Sequence, residues 1–219
     1  MKRCAVIGAG GGGLSAAIHL AALGFEVDVF EKNDFPGGKI REIRSGGWRF
    51  DCGPTLLTLP GVLDDLFDFA GYYLEDYLEI TPLETICRTF FHDGSFIDTK
   101  SDMAEMQSEV SKISPYDSKI YPRYMEYSKT IYDQSAEVFL FEPFHEIRHL
   151  IRDNKIPSAL TVFKLDAFRT VHEANTSFFE DPRIIQLFDR YATYNGSSPY
   201  KAPATLNIIQ HVEYNLGGY

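Results

Sequence analysis

The run Gly8-Ala9-Gly10-Gly11-Gly12-Gly13 narrows the folds open to this chain more than any other feature. Five of these six residues are glycine, and those at 8, 10 and 13 have the spacing G-x-G-x-x-G. The run follows Cys4-Ala5-Val6-Ile7, which reads as a short buried strand. It leads into Leu14 to Leu23, an Ala-rich helix stopped by Gly24. Phe25 to Glu31 then supplies a second strand. Apolar strands on both sides of a helix, joined by short connections, make a parallel βαβ unit, so the expected class is α/β with a Rossmann-like parallel sheet. In such a unit Gly8 allows the tight turn, Gly10 lets the backbone approach a diphosphate, and Gly13 lets the helix pack on the strand. The helix N-terminus offers free N–H groups and a partial positive charge. A glycine-rich turn by itself can be a mere flexible connection. Glu31 adds to it, because it falls 18 residues after Gly13, at the end of the second strand. A carboxylate there accepts hydrogen bonds from the ribose hydroxyls of an adenosine.

The same glycines decide how the N-terminus reads. Met1-Lys2-Arg3 before an apolar stretch mimics a secretory signal, but a glycine-filled segment makes a poor hydrophobic region for one. No run approaches the ~18 apolar residues needed to span a bilayer. The 21 basic against 31 acidic side chains give a formal net charge of −10, which argues against a nucleic-acid partner and against broad attraction to anionic lipid. Cys4, Cys52 and Cys87 are an odd set without the paired spacing of a zinc site or a disulfide framework. They read as small buried apolar residues in a reducing cytosol, so a cytoplasmic protein is expected.

Farther along, Lys39 to Arg44 and Trp48 to Asp51 predict a β-hairpin around Gly46-Gly47, and Thr89 to Asp98 a second around Asp93-Gly94. Beyond about Ser101 the texture turns helical. Ser101 to Ile113, a long stretch from Tyr116 to Leu140, and shorter pieces near His145, Leu160, Ile184 and Ile208 are punctuated by prolines. The expected organisation is therefore residues 1–100 as part of a dinucleotide-binding domain with β excursions, and residues 101–219 as a helical substrate domain. A doubly wound nucleotide domain needs more parallel strands than the two before Glu31, so the chain is expected to be a truncated portion of a longer one.

A third element follows the second strand: Phe35-Pro36-Gly37-Gly38-Lys39, two glycines that let the chain pass near a cofactor and then a cation able to face phosphate. Taken together, the G-x-G-x-x-G, the acidic residue and the Gly-Gly-Lys resemble the FAD-binding signature of the amine oxidase and phytoene desaturase superfamily. The segment Trp48-Arg49-Phe50-Asp51-Cys52-Gly53-Pro54-Thr55 resembles that family's F-D-x-G-P-T, which passes near the flavin ring. The likeness runs on through Leu63 to Leu74, Phe91 to Ser95 and Tyr194 to Pro199, and is most specific to the bacterial-type phytoene desaturases. It implies FAD as cofactor, held by Gly8, Gly10, Gly11, Gly13, Glu31, Lys32, Gly37, Gly38 and Lys39, with Gly53, Pro54 and Thr55 in the flavin neighbourhood. Many relatives have Arg where this chain has Lys39, which keeps the charge but loses the bidentate fork.

The resemblance further implies an oxidoreductase that dehydrogenates a carotenoid precursor by hydride transfer to flavin. That fits the lack of any acid–base constellation, since the cofactor is the electron sink and the protein supplies orientation and a dry pocket. Asp51, Asp166, Asp189 and Arg190 are possible helpers in proton loss, with an ordinary reading as surface or helix-cap charges. His19, His145, His149, His172 and His211 have no metal-ligand spacing, and no metal is expected. Val138 to Phe144 is unusually apolar and precedes Arg148, His149, Arg152 and Lys155. The pairing suits either a peripheral membrane contact, with Phe139, Phe141 and Phe144 in the acyl boundary, or core packing. Within the superfamily, a carotenoid isomerase or retinol saturase would carry the same motifs. Rab GDP dissociation inhibitors resemble the fold without catalysis.

Overall fold

The computed structural model describes residues 1–136 and 164–219. The chain divides into two compact units, Met1–Pro82 with Tyr219, and Leu83–Gly218. The division falls ahead of the second hairpin. The segments near His145 and Leu160, the end of the long helix, and the apolar run Val138 to Phe144 with the cations after it lie outside the described residues.

In the first unit, strand β1 (Arg3–Ile7), helix α1 (Gly11–Ala22) and strand β2 (Glu26–Phe30) form the expected βαβ unit. The strands run parallel, Arg3 opposite Glu26 through to Ile7 opposite Phe30. Helix α1 begins at Gly11, three residues earlier than apolar periodicity places it, because consecutive glycines carry no side-chain pattern. It stops where Gly24 takes a left-handed φ of 85°. Strands β3 (Glu42–Ser45) and β4 (Trp48–Asp51) form the predicted antiparallel hairpin, its turn made by Gly46 and Gly47 at φ 56° and 83°. Helix α2 (Gly61–Phe69) lies on α1, with the Phe69 ring centroid 4.6 Å from that of His19. Tyr219 exchanges both backbone hydrogen bonds with Leu57. The cysteine expectation needs correcting: Cys52 is exposed just past β4, and Cys4 and Cys87 are only half-buried. The period-2 alternation of a short strand says which residues share a face, not whether anything covers that face.

The second unit opens with the hairpin of β5 (Cys87–Phe90) and β6 (Phe96–Thr99). Helix α3 (Met103–Ile113) follows, capped by Asp102, whose carboxylate accepts the N–H groups of Ala104 and Glu105. Helix α4 (Pro115–Ala136) carries Pro122 in its interior. A proline there cannot donate to the carbonyl four residues back. That carbonyl, on Ser118, instead accepts the side-chain amide of Gln107 on α3 at 2.8 Å, while the Ser118 hydroxyl donates to the Gln107 carbonyl at 2.9 Å. The proline's cost is thereby offset at the point where two helices meet.

Helix α5 (Val171–Phe178) starts on a capping box between Thr170 and Glu173, and helix α6 (Pro182–Asp189) on an Asp181 cap with proline in its first turn. Fully buried Asp117 of α4 accepts the backbone N–H groups of Glu180 and Asp181, each at 2.9 Å, and so ties α4 to the start of α6. A 3-10 stretch (Arg190–Asn195) ends at Gly196 with φ 65°, and the last turn widens into a π-helix over His211–Asn215. Tyr121, Tyr124, Phe179, Phe188, Tyr191 and Tyr214 fill the core with aromatic rings, with Phe179 stacked on Phe188 at 5.0 Å.

Candidate dinucleotide-binding site

The glycine turn is held from two sides by backbone hydrogen bonds. Gly8 leaves β1 with φ 97° and donates its N–H to the Phe30 carbonyl at 2.7 Å, so the turn stays pinned to the end of β2. The Ala9 carbonyl accepts the N–H of Gly37 at 2.7 Å, and Gly10 bridges Gly37 in parallel register. The third sequence element therefore clasps the first. Gly38 lies so close that a Cβ on it would sit 3.1 Å from the Gly10 Cα.

The glycines divide by what their own protein demands of them. A Cβ on Gly13 would lie 1.9 Å from the Gly8 carbonyl oxygen, an impossible approach, so packing alone fixes glycine there. A Cβ on Gly53 would lie 2.1 Å from the Lys39 carbonyl oxygen, with the same consequence, and this contact brings Gly53 beside the Gly37-Gly38-Lys39 loop. In contrast, a Cβ on Gly10 would come no closer than 3.9 Å to any neighbour, and on Gly11 or Gly12 would meet nothing within 4 Å. No described residue requires a bare backbone at those three positions, which leaves room for a group to lie against them. No side chain caps α1, and Leu14 makes its first intrahelical bond, to Gly10 at 2.9 Å. The N–H groups of Gly11, Gly12 and Gly13 thus point out of the helix start ahead of that bond, an arrangement that suits a diphosphate.

Glu31 sits at the end of β2 with both carboxylate oxygens engaged. Oε2 accepts the Ala9 N–H at 2.7 Å, and Oε1 accepts the Asn33 N–H at 3.0 Å and its side-chain amide at 2.7 Å. The Ala9 bond first, and those from Asn33 after it, hold this carboxyl below the usual carboxylate range. Each carboxylate oxygen has two lone pairs, so Oε2 retains one for a further donor. Asn33 and the Ala9 N–H are the parts of this site that sequence reasoning missed. The signal available was an asparagine two residues past the glutamate, in reach of it through both its backbone and its side chain.

The structure brings Gly8 to Gly13, Glu31, Gly37 to Lys39 and Gly53 together within the first unit. The Lys32 and Lys39 side chains stand exposed at the edge, and Pro54 and Thr55 continue from Gly53 at the surface. The proton-loss candidates do not converge. Asp51 pairs with Arg49 on the hairpin, and Asp166 with Arg169 and Tyr127. Asp189 is bonded to Asn175 and His172, and Arg190 donates to Tyr191 and Cys87. Among the described residues no group of His, Cys, Asp and Glu could hold a metal ion.

Residues 6–73 match the family of NAD(P)-binding Rossmann-like domains. Over 216 residues the chain is 36% identical to the 4,4'-diapolycopene oxygenase of a Methylomonas species, covering 99% of this chain and 43% of that protein. It is 35% identical to the 1-hydroxycarotenoid 3,4-desaturase of Flavobacterium strain P99-3, covering 100% and 44%, and 31% identical to the lycopene-forming phytoene desaturase of Pseudescherichia vulneris, covering 99% and 43%. The chain thus spans less than half the length of the curated relatives it matches. Two solved structures share the fold. Cyclohexylamine oxidase from Brevibacterium oxydans has a TM-score of 0.57 at 17% identity, covering 100% of this chain and 45% of that one, and a Plasmodium falciparum Rab GDI has 0.54 at 13%, covering 98% and 50%. A helix start with no side-chain cap, a turn clasped by a second glycine pair, and a carboxylate at the strand end are the features of a dinucleotide-binding domain, in agreement with the Rossmann-like family match, and the cofactor is FAD. Along 99–100% of its own length the chain is similar to these carotenoid desaturases and oxygenases.

Proposed function

We propose that the protein carrying this chain is an FAD-dependent oxidoreductase that removes hydrogen from a carotenoid precursor such as phytoene. The observation that carries this reading is agreement at 30% identity or more along essentially the whole chain with relatives named for action on carotenoids, coupled to glycines at positions 10, 11 and 12 that no described neighbour requires. The Rab GDI likeness warns that the fold alone does not decide catalysis, so the reading rests on the site.

In this reading the N–H groups at the start of α1 receive the diphosphate, with Gly8, Gly10, Gly11 and Gly13 forming the turn. The free lone pair of Glu31 Oε2 takes a ribose hydroxyl, and the Ala9 and Asn33 donors keep the carboxylate ionised and aimed. Lys32 and Lys39 face phosphate as exposed point charges, and Gly37, Gly38, Gly53, Pro54 and Thr55 line the path towards the ring. Bound FAD would supply the hydride-accepting ring, a reaction that needs little from side chains beyond orientation and exclusion of water. Residues 101–219 would carry the polyene. Such a substrate is confined to a bilayer, and no helix among the described residues is long and apolar enough to cross one. We therefore place peripheral membrane contact at Phe139, Phe141 and Phe144, with Arg148 and Arg152 facing headgroups.

The test is to express the complete gene in cells that accumulate phytoene and to analyse the pigments. New conjugated double bonds are the expected outcome, and a purified protein that is yellow with a flavin spectrum rejects a non-catalytic carrier. Oxygenated products without added double bonds would transfer the protein to the oxygenases among its relatives. For the membrane contact, a folded Phe139→Ser, Phe141→Ser, Phe144→Ser variant that floats with liposomes as well as the parent would refute it.

A further inference from the structure

His172 and Asp189 are 17 residues apart, on different helices of the second unit, yet their side chains meet: His172 Nδ1 lies 2.6 Å from Asp189 Oδ2. The pair is built from behind. Asn175 donates its amide to Asp189 Oδ1 at 2.8 Å, and the Asn175 oxygen accepts from the Tyr124 hydroxyl at 3.0 Å and from the Asn207 amide at 3.2 Å. Two donors on that oxygen fix which way the Asn175 amide faces, so both Asp189 oxygens are occupied and the carboxylate cannot swing. Asp189 and Asn175 are buried, while the imidazole is one-third exposed. The backbone N–H of His172 donates to the Pro199 carbonyl at 3.0 Å, and the Tyr200 ring lies 4.5 Å from the imidazole, which holds the ring from its other side.

An ionised carboxylate only accepts, so Nδ1 carries a hydrogen and Nε2 is the atom left for something else. No described residue bonds Nε2. The imidazole forms part of the wall of a cavity of about 450 Å³, with Ile185, Pro199 and Tyr200 giving it apolar faces and Gln186 and Thr193 adding polar groups. That volume lies within the range of small-molecule sites. The cavity does not suit an anion, because the fixed carboxylate of Asp189 is part of its wall. The one guanidinium in its wall, Arg190, already donates to Tyr191 and Cys87 and lies 3.5 Å from buried Glu213. It does not suit a cation either: Asp189 is in the wall, but its two oxygens are already taken by His172 and Asn175.

We propose that this cavity is a second ligand site, in which His172 Nε2 takes the hydroxyl of an alcohol with a hydrocarbon body. A hydroxyl is the group that fits both protonation states of the ring. It donates to Nε2 of the neutral imidazole and accepts from Nε2–H of the imidazolium, and its remaining capacity suits Gln186 or Thr193. The hydrocarbon body covers Ile185, Pro199 and the Tyr200 face. Asp189 and Asn175 act as positioning residues. The inference needs nothing from the dinucleotide cradle and stands or falls apart from the proposed carotenoid chemistry.

Calorimetric titration of the FAD-loaded, full-length protein with citronellol and with citronellyl methyl ether tests it, because the ether keeps the body and an acceptor but loses the donor. Citronellol should bind about tenfold more tightly than the ether, the ratio set by one directed hydrogen bond. In His172→Phe that ratio should fall to about one, and Ile185→Trp, which fills the cavity from its apolar side, should remove binding of both compounds. Equal affinity of alcohol and ether in the parent, no binding of either, or unchanged binding in Ile185→Trp would each overturn the proposal. A tenfold preference that survives in His172→Phe would also overturn it.

Discussion

The two units reach order by opposite routes. In the first, whose residues are all described, only Ala9 and Leu74 are buried, while Ile7 is 90% exposed and Phe30 60%. Its geometry comes from the backbone: a five-residue parallel ladder, glycines pressed against carbonyl oxygens, and a carboxylate bonded to a turn N–H. In the second, Tyr121, Tyr124, Phe179, Phe188 and Tyr191 are almost wholly buried, and polar side chains such as Asp117 and Asn175 are enclosed with their partners. Within this chain the cradle is specified by short-range backbone contacts. Damage should differ accordingly: the second unit suffers when atoms are removed, the first when they are added.

The largest effect is expected in the second unit. Phe188→Ala would remove a fully buried ring that packs on Phe179, Tyr124, Tyr121 and Tyr214, costing about 3–5 kcal/mol through lost burial and the cavity left behind. Hydrogen exchange read by peptide should rise across 103–136 and 171–214 and stay unchanged over 1–82. An equal rise in both units would break the comparison.

In the first unit Gly13→Ala should cost about 3 kcal/mol, because the new methyl carbon meets the Gly8 carbonyl at 1.9 Å and β1 must move away from α1. Gly10→Ala adds the same atom where the nearest neighbour is 3.9 Å away and φ is −78°, so stability should change by about 0.5 kcal/mol or less. Both variants should lose copurifying FAD, only the first with a lower melting temperature. Retention of FAD by Gly10→Ala would mean that the bare backbone at this position serves no ligand.

The Glu31 bond to Ala9 gives the cradle a pH dependence of definite sign. Its carboxyl is held below the ordinary value of 4.5, so the folded state favours the ionised form. The contribution is complete above that ordinary value and is lost as the pH falls through the depressed one. Protection of the Ala9 amide, followed by NMR, should therefore hold from neutral pH to about 5 and drop only below it. Glu31→Gln, which keeps an acceptor but no charge, should flatten the profile; a parent profile already flat down to pH 3 would remove Glu31 from the turn.

What could be read in the sequence follows the same division. The βαβ unit, both hairpins and the meeting of Gly8 to Gly13 with Glu31 were legible because their parts lie within about 40 residues and depend on glycine chemistry and period-2 or helical patterning. The Gly37 clasp was visible only as two glycines; that its N–H reaches the Ala9 carbonyl depends on where the chain turns after β2. In the second unit the helices α3 and α4 were legible, but the Asp117 tie to α6 and the His172–Asp189 pair were not. These contacts join side chains from separate helices, and no spacing in the sequence encodes which helix faces which. Cys52 was misjudged because residue type was read as burial.

The smallest expected effect is the sharpest check on the first unit. Ile7 ends β1 opposite Phe30, and its side chain is almost entirely in solvent. Removing a buried apolar side chain of this size and inserting a hydroxyl normally costs several kcal/mol, because burial is lost and a polar group is left in an apolar site. Neither loss arises where the side chain already meets water, and threonine retains the β-branching that suits a strand. Ile7→Thr in this 219-residue chain should therefore shift the unfolding free energy by no more than about 0.5 kcal/mol. Paired thermal melts of parent and variant, with and without FAD, would measure it. A loss above about 1 kcal/mol would show that Ile7 is covered in solution, by another copy or by a rearranged segment, and that the first unit has an apolar core after all.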